Sequence, residues 1–114
     1  MLLYTNHYKA PLIVRSRDSK VLDKLDLIAD VGGEYNADTL RFDHHQKTFT
    51  EVWDAKDSKY VGIKLSSAGL IYRHYGAEVI KNAMKEVWNV DLDECTLAKV
   101  YKKMYNKLIL EVDA

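Results

Sequence analysis

The sequence predicts an α/β fold: a small, mostly parallel sheet flanked by helices. Two observations carry this. Within residues 11–33 an apolar run, a stretch with helical spacing and a second apolar run follow one another, which is the order of a βαβ unit, and such units build parallel sheets. From residue 93 onward apolar residues recur at intervals of three and four, the mark of an amphipathic helix.

The elements follow in order. MLLYTNHYKA lacks the basic start and continuous apolar stretch of a signal peptide. Leu2, Leu3 and Tyr4, then polar residues and Pro11, read as the tail of a helix, so further sequence is expected upstream. PLIVRSRD supplies a strand near 11–16, and SKVLDKLD a short helix through Val21, Leu22 and Leu25. LIADVGG supplies a second strand near 27–31, apolar enough to be covered on both faces. Residues 34–64 read as irregular, apart from a third strand near 40–43 in LRFDHH and a solvated loop in DAKDSK. Ser66 or Ser67 can cap the helix AGLIYRHY, which Gly76 interrupts. A further helix aligns Val79, Ile80, Ala83, Met84 and Val87. Asp91 and Glu94 have capping-box spacing before a last helix over roughly 93–110. Its stripe of Leu97, Val100, Tyr101, Met104, Tyr105, Leu108, Ile109 and Val112 belongs to a core or a subunit contact.

A chain of 114 residues suits one domain. Seventeen basic and seventeen acidic residues cancel, which excludes nucleic-acid binding by bulk charge and leaves only a local patch or a metal for that task. The single Cys95 excludes an internal disulfide and a thiolate zinc site, and fits a reducing compartment. No apolar run reaches the ~18 residues of a membrane span.

Ligands gather at the carboxyl ends of parallel strands. Asp30 falls there, with Gly32 and Gly33 behind it to permit a tight turn. Asp43, His44 and His45 end the next strand. A carboxylate and two imidazoles at one edge would suit Mn²⁺, Mg²⁺ or Zn²⁺; the plainer alternative is a turn-forming aspartate beside a solvated histidine pair. Arg15 and Arg17 could hold a phosphate or pair with nearby acids. His7 and His74 read as surface or packing residues.

IADVGGEYN, LRFDHHQKTFTE and KLSSAGLIYRHYG occur in this order. They resemble the MYG (melanocyte proliferating gene) family of exonucleases, which carries D-V-G-G-x-Y, R-x-D-H-H-Q-x-x-F-x-E and K-L-S-S-A-G-L-[IV]-Y. The likeness covers nearly the whole chain. It implies part of a DHH-phosphoesterase-like domain, related to RecJ-type nucleases and manganese pyrophosphatases. It implies metal-dependent trimming of RNA from the 3′ end, with Mn²⁺ or Mg²⁺ as cofactor, and a setting in nucleus or mitochondrion. Asp30 and His44 then match metal ligands, and Asp113, in the closing LEVDA, matches a further one. His45 would face the substrate phosphate and Asp43 would orient the imidazoles, the two forming the catalytic pair. Gln46 and Glu51 match signature positions without an assigned role. The family's H-x-G-x-F-H-x-D-E does not occur in these 114 residues, and the match to E-x-D-A-x-D-N-G stops at Ala114. The resemblance therefore implies a truncated domain with an incomplete metal site and impaired activity. Two other functions remain open: a non-catalytic scaffold subunit in a homo-oligomer or larger assembly, and a small-phosphate hydrolase.

Overall fold

The computed structural model describes residues 1–8 and 10–114. The part of the opening segment that falls on Lys9 lies outside the described residues. A single 3-10 turn, Leu2–Tyr4, stands where the helix tail was expected.

Three two-residue strands form a mixed sheet: β1 (Ile28–Ala29), β2 (Tyr35–Asn36) and β3 (Arg41–Phe42), in the order β1-β3-β2. β1 and β3 are parallel, with Ile28 opposite Arg41, and β2 joins β3 antiparallel, with Tyr35 opposite Phe42. The parallel pairing that a βαβ unit predicts for 11–16 with 27–31 is absent: 27–31 pairs in parallel with 40–43 instead, and the sheet is mixed rather than mostly parallel. The short helix α1 (Ser19–Leu22) begins on Asp18, whose carboxylate accepts from the Lys20 amide.

The strand expected at 11–16 is not formed. Leu12 and Ile13 are 91% and 76% exposed, and the segment has no ladder hydrogen bond among the described residues. An apolar run becomes a strand only where a neighbouring edge accepts its backbone, and Pro11 offers no N–H to such an edge. The run instead borders an open apolar cleft of about 600 Å³ beside β1, lined among others by Leu2, Ile13, Val14, Ala29 and Ile71.

Ser66 caps α2 (Ser67–Trp88), its hydroxyl accepting from the Gly69 amide at 3.1 Å. The helix ends at Asn89, whose left-handed conformation (φ 54°) closes the last turn. Gly76 does not interrupt it. A Cβ there would lie 2.7 Å from the Tyr72 ring and 2.9 Å from the Tyr101 ring. These two rings stack 5.0 Å apart, and each hydroxyl is held by a backbone carbonyl, Tyr72 by that of Tyr101 and Tyr101 by that of Arg73. Glycine is required for packing, so its low helix propensity is overridden. Gly76→Ala, which in an open helix would stabilise, is expected to cost about 1–3 kcal/mol by overpacking. Urea denaturation checks this, and a variant more stable than the parent would contradict it.

α3 (Glu94–Met104) begins on Asp93, whose carboxylate accepts from the Thr96 amide at 2.6 Å. The expected cap at Asp91 is corrected: Asp91 pairs with Lys85 instead. The helical path continues through a π turn, Tyr105–Ile109, into α4 (Leu110–Asp113). Of the apolar stripe, Tyr105 and Ile109 are buried, whereas Leu108 and Val112 are more than half exposed. The core gathers Phe42, Phe49, Tyr60, Leu65, Leu70, Ile71, Tyr72, Tyr105 and Ile109. Trp53 closes it by stacking on Tyr105 at 3.8 Å. Among the described residues no helix is long and apolar enough to cross a membrane.

Candidate metal centre

The carboxyl ends of β1 and β3 lie side by side because the two strands are parallel, and each leads into a site residue. Asp30 follows β1. Its amide donates to the Phe42 carbonyl, extending the ladder by one step, and its φ of 65° is left-handed. Aspartate tolerates that region better than most residues. Gly32 and Gly33, at φ 95° and 70°, then carry the chain back toward β2.

Asp43 follows β3 and is buried. One carboxylate oxygen accepts from the Gly33 amide at 2.7 Å. The other accepts from the His44 and His45 amides and from His45 Nδ1 at 2.6 Å. Burial works against the charged carboxylate, but these hydrogen bonds from His45, Gly33 and His44 outweigh it and hold its pKa below the ordinary 3.8. Asp43 thus fastens the glycine turn to the histidine loop and fixes the proton of His45 on Nδ1. His45 Nε2 lies 3.9 Å from Asp30 Oδ1.

His44 stacks obliquely on His45, ring centres 4.2 Å apart. Its Nδ1 accepts from the Ser67 amide at 3.0 Å and lies 2.8 Å from the Ser67 hydroxyl. An amide donor needs a lone pair, so Nδ1 carries no proton. The same atom is 3.6 Å from Asp30 Oδ1. Asp30, Asp43, His44 and His45 each offer one ligand atom, all within 4.8 Å of one another. The gathered atoms are oxygens of two carboxylates and nitrogens of two imidazoles. Such an electron-rich cluster fits a divalent cation of the manganese or magnesium type. Binding at His44 Nδ1 would compete with the hydrogen bonds from Ser67.

The cluster opens into a cleft of about 310 Å³ lined by Arg17, Asp30, Val31, Gly32, Asp43 and His45. Arg17 is the sequence-flagged cation that reaches it. Asp113 does not join the four. Its Oδ1 accepts from the Ser66 amide and hydroxyl, and its Oδ2 from the Tyr105 hydroxyl. A Cβ on Gly69 would come within 2.5 Å of that carboxylate, so the glycine makes room for it. His74 packs between Tyr35 and Phe42 and bonds the Tyr35 hydroxyl at 2.8 Å. His7 is exposed, edge-on to Tyr8.

Two signature residues acquire contacts. Gln46 donates to the Asp43 carbonyl at 3.0 Å. Glu51 pairs with Arg73 at 3.1 Å, and Arg73 also donates to the Val52 and Trp53 carbonyls, tying the loop to α2. The sequence marks Ser67 only as a candidate helix cap, and nothing local in it links this residue to His44, 23 residues away.

Fold and cluster together define a small α/β protein with a carboxylate–imidazole centre at a sheet edge. The family model MYG1_exonuc, described as "Uncharacterised protein family (UPF0160)", matches residues 1–114. The chain belongs to this family. It is 45% identical to a MYG1 protein of Dictyostelium discoideum over 106 residues, 93% of this chain and 29% of that protein. It is 41% identical to the MYG1 exonuclease of Mus musculus over 103 residues, 90% of this chain and 26% of the relative. Identity to the Homo sapiens MYG1 exonuclease is 39% over 108 residues, 94% of this chain and 28% of the relative. The chain thus spans between about a quarter and a third of the length of the curated relatives it matches. No solved structure matches it.

Proposed function

We propose that the chain forms part of a metal-dependent phosphodiesterase of the 3′-to-5′ exoribonuclease type, with a DHH-phosphoesterase-like fold. The observation that carries this is the convergence of Asp30, Asp43, His44 and His45 lone pairs at the open end of a parallel strand pair. The mammalian relatives' name, exonuclease, supports it.

Asp30 and His44, with Asp43 and His45 beside them, would hold the cation. When bound, a divalent ion supplies Lewis acidity toward a phosphodiester oxygen and lowers the pKa of water. The chain's own groups do the rest. Arg17, lining the same cleft, presents a planar cationic fork to a phosphate. His45, more than half exposed, faces that cleft with its tautomer set by Asp43. Asp113 holds the start of α2, and with it Ser67, in place behind His44. A nuclear or mitochondrial setting belongs to the same proposal.

Single-stranded RNA labelled at its 5′ end tests it. With Mn²⁺ these 114 residues alone are expected to give only a weak ladder shortened from the 3′ end, absent in EDTA and with Asp30→Ala. Cleavage that persists in EDTA, or that Asp30→Ala leaves untouched, would count against it.

The exposed Leu12, Ile13, Leu108 and Val112 favour a second reading, a scaffold subunit that buries them in an assembly. It predicts self-association or partner binding with no metal-dependent cleavage.

A further inference from the structure

The apolar stripe of the last helix has a cationic neighbour. Lys99, Lys102, Lys103 and Lys107, carried by α3 and the π turn, line an open cleft of about 420 Å³ together with Asn106 and Lys59. Lys59 comes from the 3-10 turn Ser58–Tyr60. Asn106 joins the two elements: its Oδ1 accepts from the buried Tyr60 hydroxyl at 2.6 Å and from Lys59 Nζ at 3.3 Å. No acidic side chain lines this cleft among the described residues. In a chain whose charges cancel overall, five cations have been gathered on one face.

Helix electrostatics does not explain them. Lys99 with Lys103, and Lys103 with Lys107, are like charges four residues apart, an arrangement that mildly destabilises a helix. Stabilisation of a helix C-terminus does not apply, because the helical path runs on to Asp113. Among the described residues Lys99, Lys102, Lys103 and Lys107 form no hydrogen bond or ion pair with a side chain, so their ammonium groups are free for a ligand.

We propose that this lysine cleft binds the phosphate backbone of single-stranded nucleic acid. Flexible ammonium groups around an open cleft suit a row of charges better than one fixed anion, for which a rigid fork or backbone amides serve. Among the described residues no aromatic ring lines the cleft to stack a base, so binding should be salt-sensitive and indifferent to sequence. The cleft and the candidate metal centre belong to one packed unit. Tyr105, next to Asn106, donates to Asp113; Asp113 accepts from Ser66; and Ser67 donates to His44. The proposal rests on the phosphodiesterase reading for its purpose, holding a long substrate away from the reacting bond, but the binding itself needs no metal.

The test is fluorescence anisotropy with a labelled single-stranded RNA, in EDTA, across a salt series. Each lysine–phosphate contact contributes about −0.7 to the slope of log affinity against log salt. Lys99→Gln/Lys102→Gln/Lys103→Gln/Lys107→Gln is expected to lose about 2–3 of that slope, and at least about tenfold in affinity at low salt. Lys20→Gln/Lys24→Gln/Lys56→Gln/Lys81→Gln removes the same charge elsewhere and should stay within about twofold of the parent. Circular dichroism confirms that both variants fold. Equal losses in the two variants, an unchanged slope in the first, or displacement of RNA by poly-glutamate at equal charge would overturn the proposal. Because EDTA empties any metal centre, the result stands whether or not the chain hydrolyses phosphodiesters.

Discussion

Asp43→Ala is expected to lower the unfolding free energy by about 3 kcal/mol, the largest effect of any single change in the histidine loop. The Asp43 side chain is 4% exposed and accepts from three backbone amides and one imidazole. Alanine leaves those donors without a partner in a site water reaches poorly, and unfastens the Gly32–Gly33 turn from the end of β3. Asn keeps the volume and part of the accepting capacity, so Asp43→Asn should lose less. The pH dependence has a defined sign. The folded pKa lies below 3.8, so the carboxylate's contribution is complete above that value and fades as pH falls through the folded pKa. Parent and Asp43→Asn should therefore differ in urea midpoint at neutral pH and converge in strong acid. A difference that persists unchanged below the folded pKa would mean that packing, not the carboxylate, holds the loop.

Asp30→Ala should have the opposite profile: little change in stability and a loss of about 100-fold in Mn²⁺ affinity. Its side chain is 67% exposed, so the fold gains little from it. Its Oδ1 nevertheless faces both imidazoles, 3.6 Å from His44 Nδ1 and 3.9 Å from His45 Nε2. On the proposed metal reading, this exposed carboxylate in a left-handed backbone conformation, set against two imidazoles, serves a cation rather than the fold. If Asp30→Ala raised stability sharply and left Mn²⁺ uptake intact, the residue would be only a strained turn.

The four residues of the cluster were legible in the sequence because they are local to strand ends, whereas Asp113, expected with them, is engaged by Ser66 and Tyr105. Asp30 with its two glycines, and Asp43-His44-His45, each follow a short apolar run that reads as a strand, although the parallel pair that joins them is β1 with β3 and not the 11–16 run with 27–31. What stayed hidden depends on distant partners. Ser67 and Asp113 act through contacts across 23 and 47 residues, which no periodicity reports. β2 is two residues long, too short to show an alternation. Asp91 and Asp93 are equally good caps by composition, and only the backbone geometry selects Asp93. At residues 11–16 and Gly76 the local signal is present in the sequence but tertiary context overrides it. The run at 11–16 has the hydrophobicity of a strand and no edge to join. Gly76 has the propensity of a helix breaker and a tyrosine stack that requires it.

Calorimetric titration of the protein with Mn²⁺ tests the metal centre most directly. The expected result is saturable uptake that weakens about 100-fold in Asp30→Ala and His44→Ala and persists in Asp113→Asn, whose carboxylate is engaged by Ser66 and Tyr105. No saturable uptake by the parent, or uptake that Asp30→Ala and His44→Ala leave unchanged, would contradict the assignment of Asp30, Asp43, His44 and His45 as a metal centre.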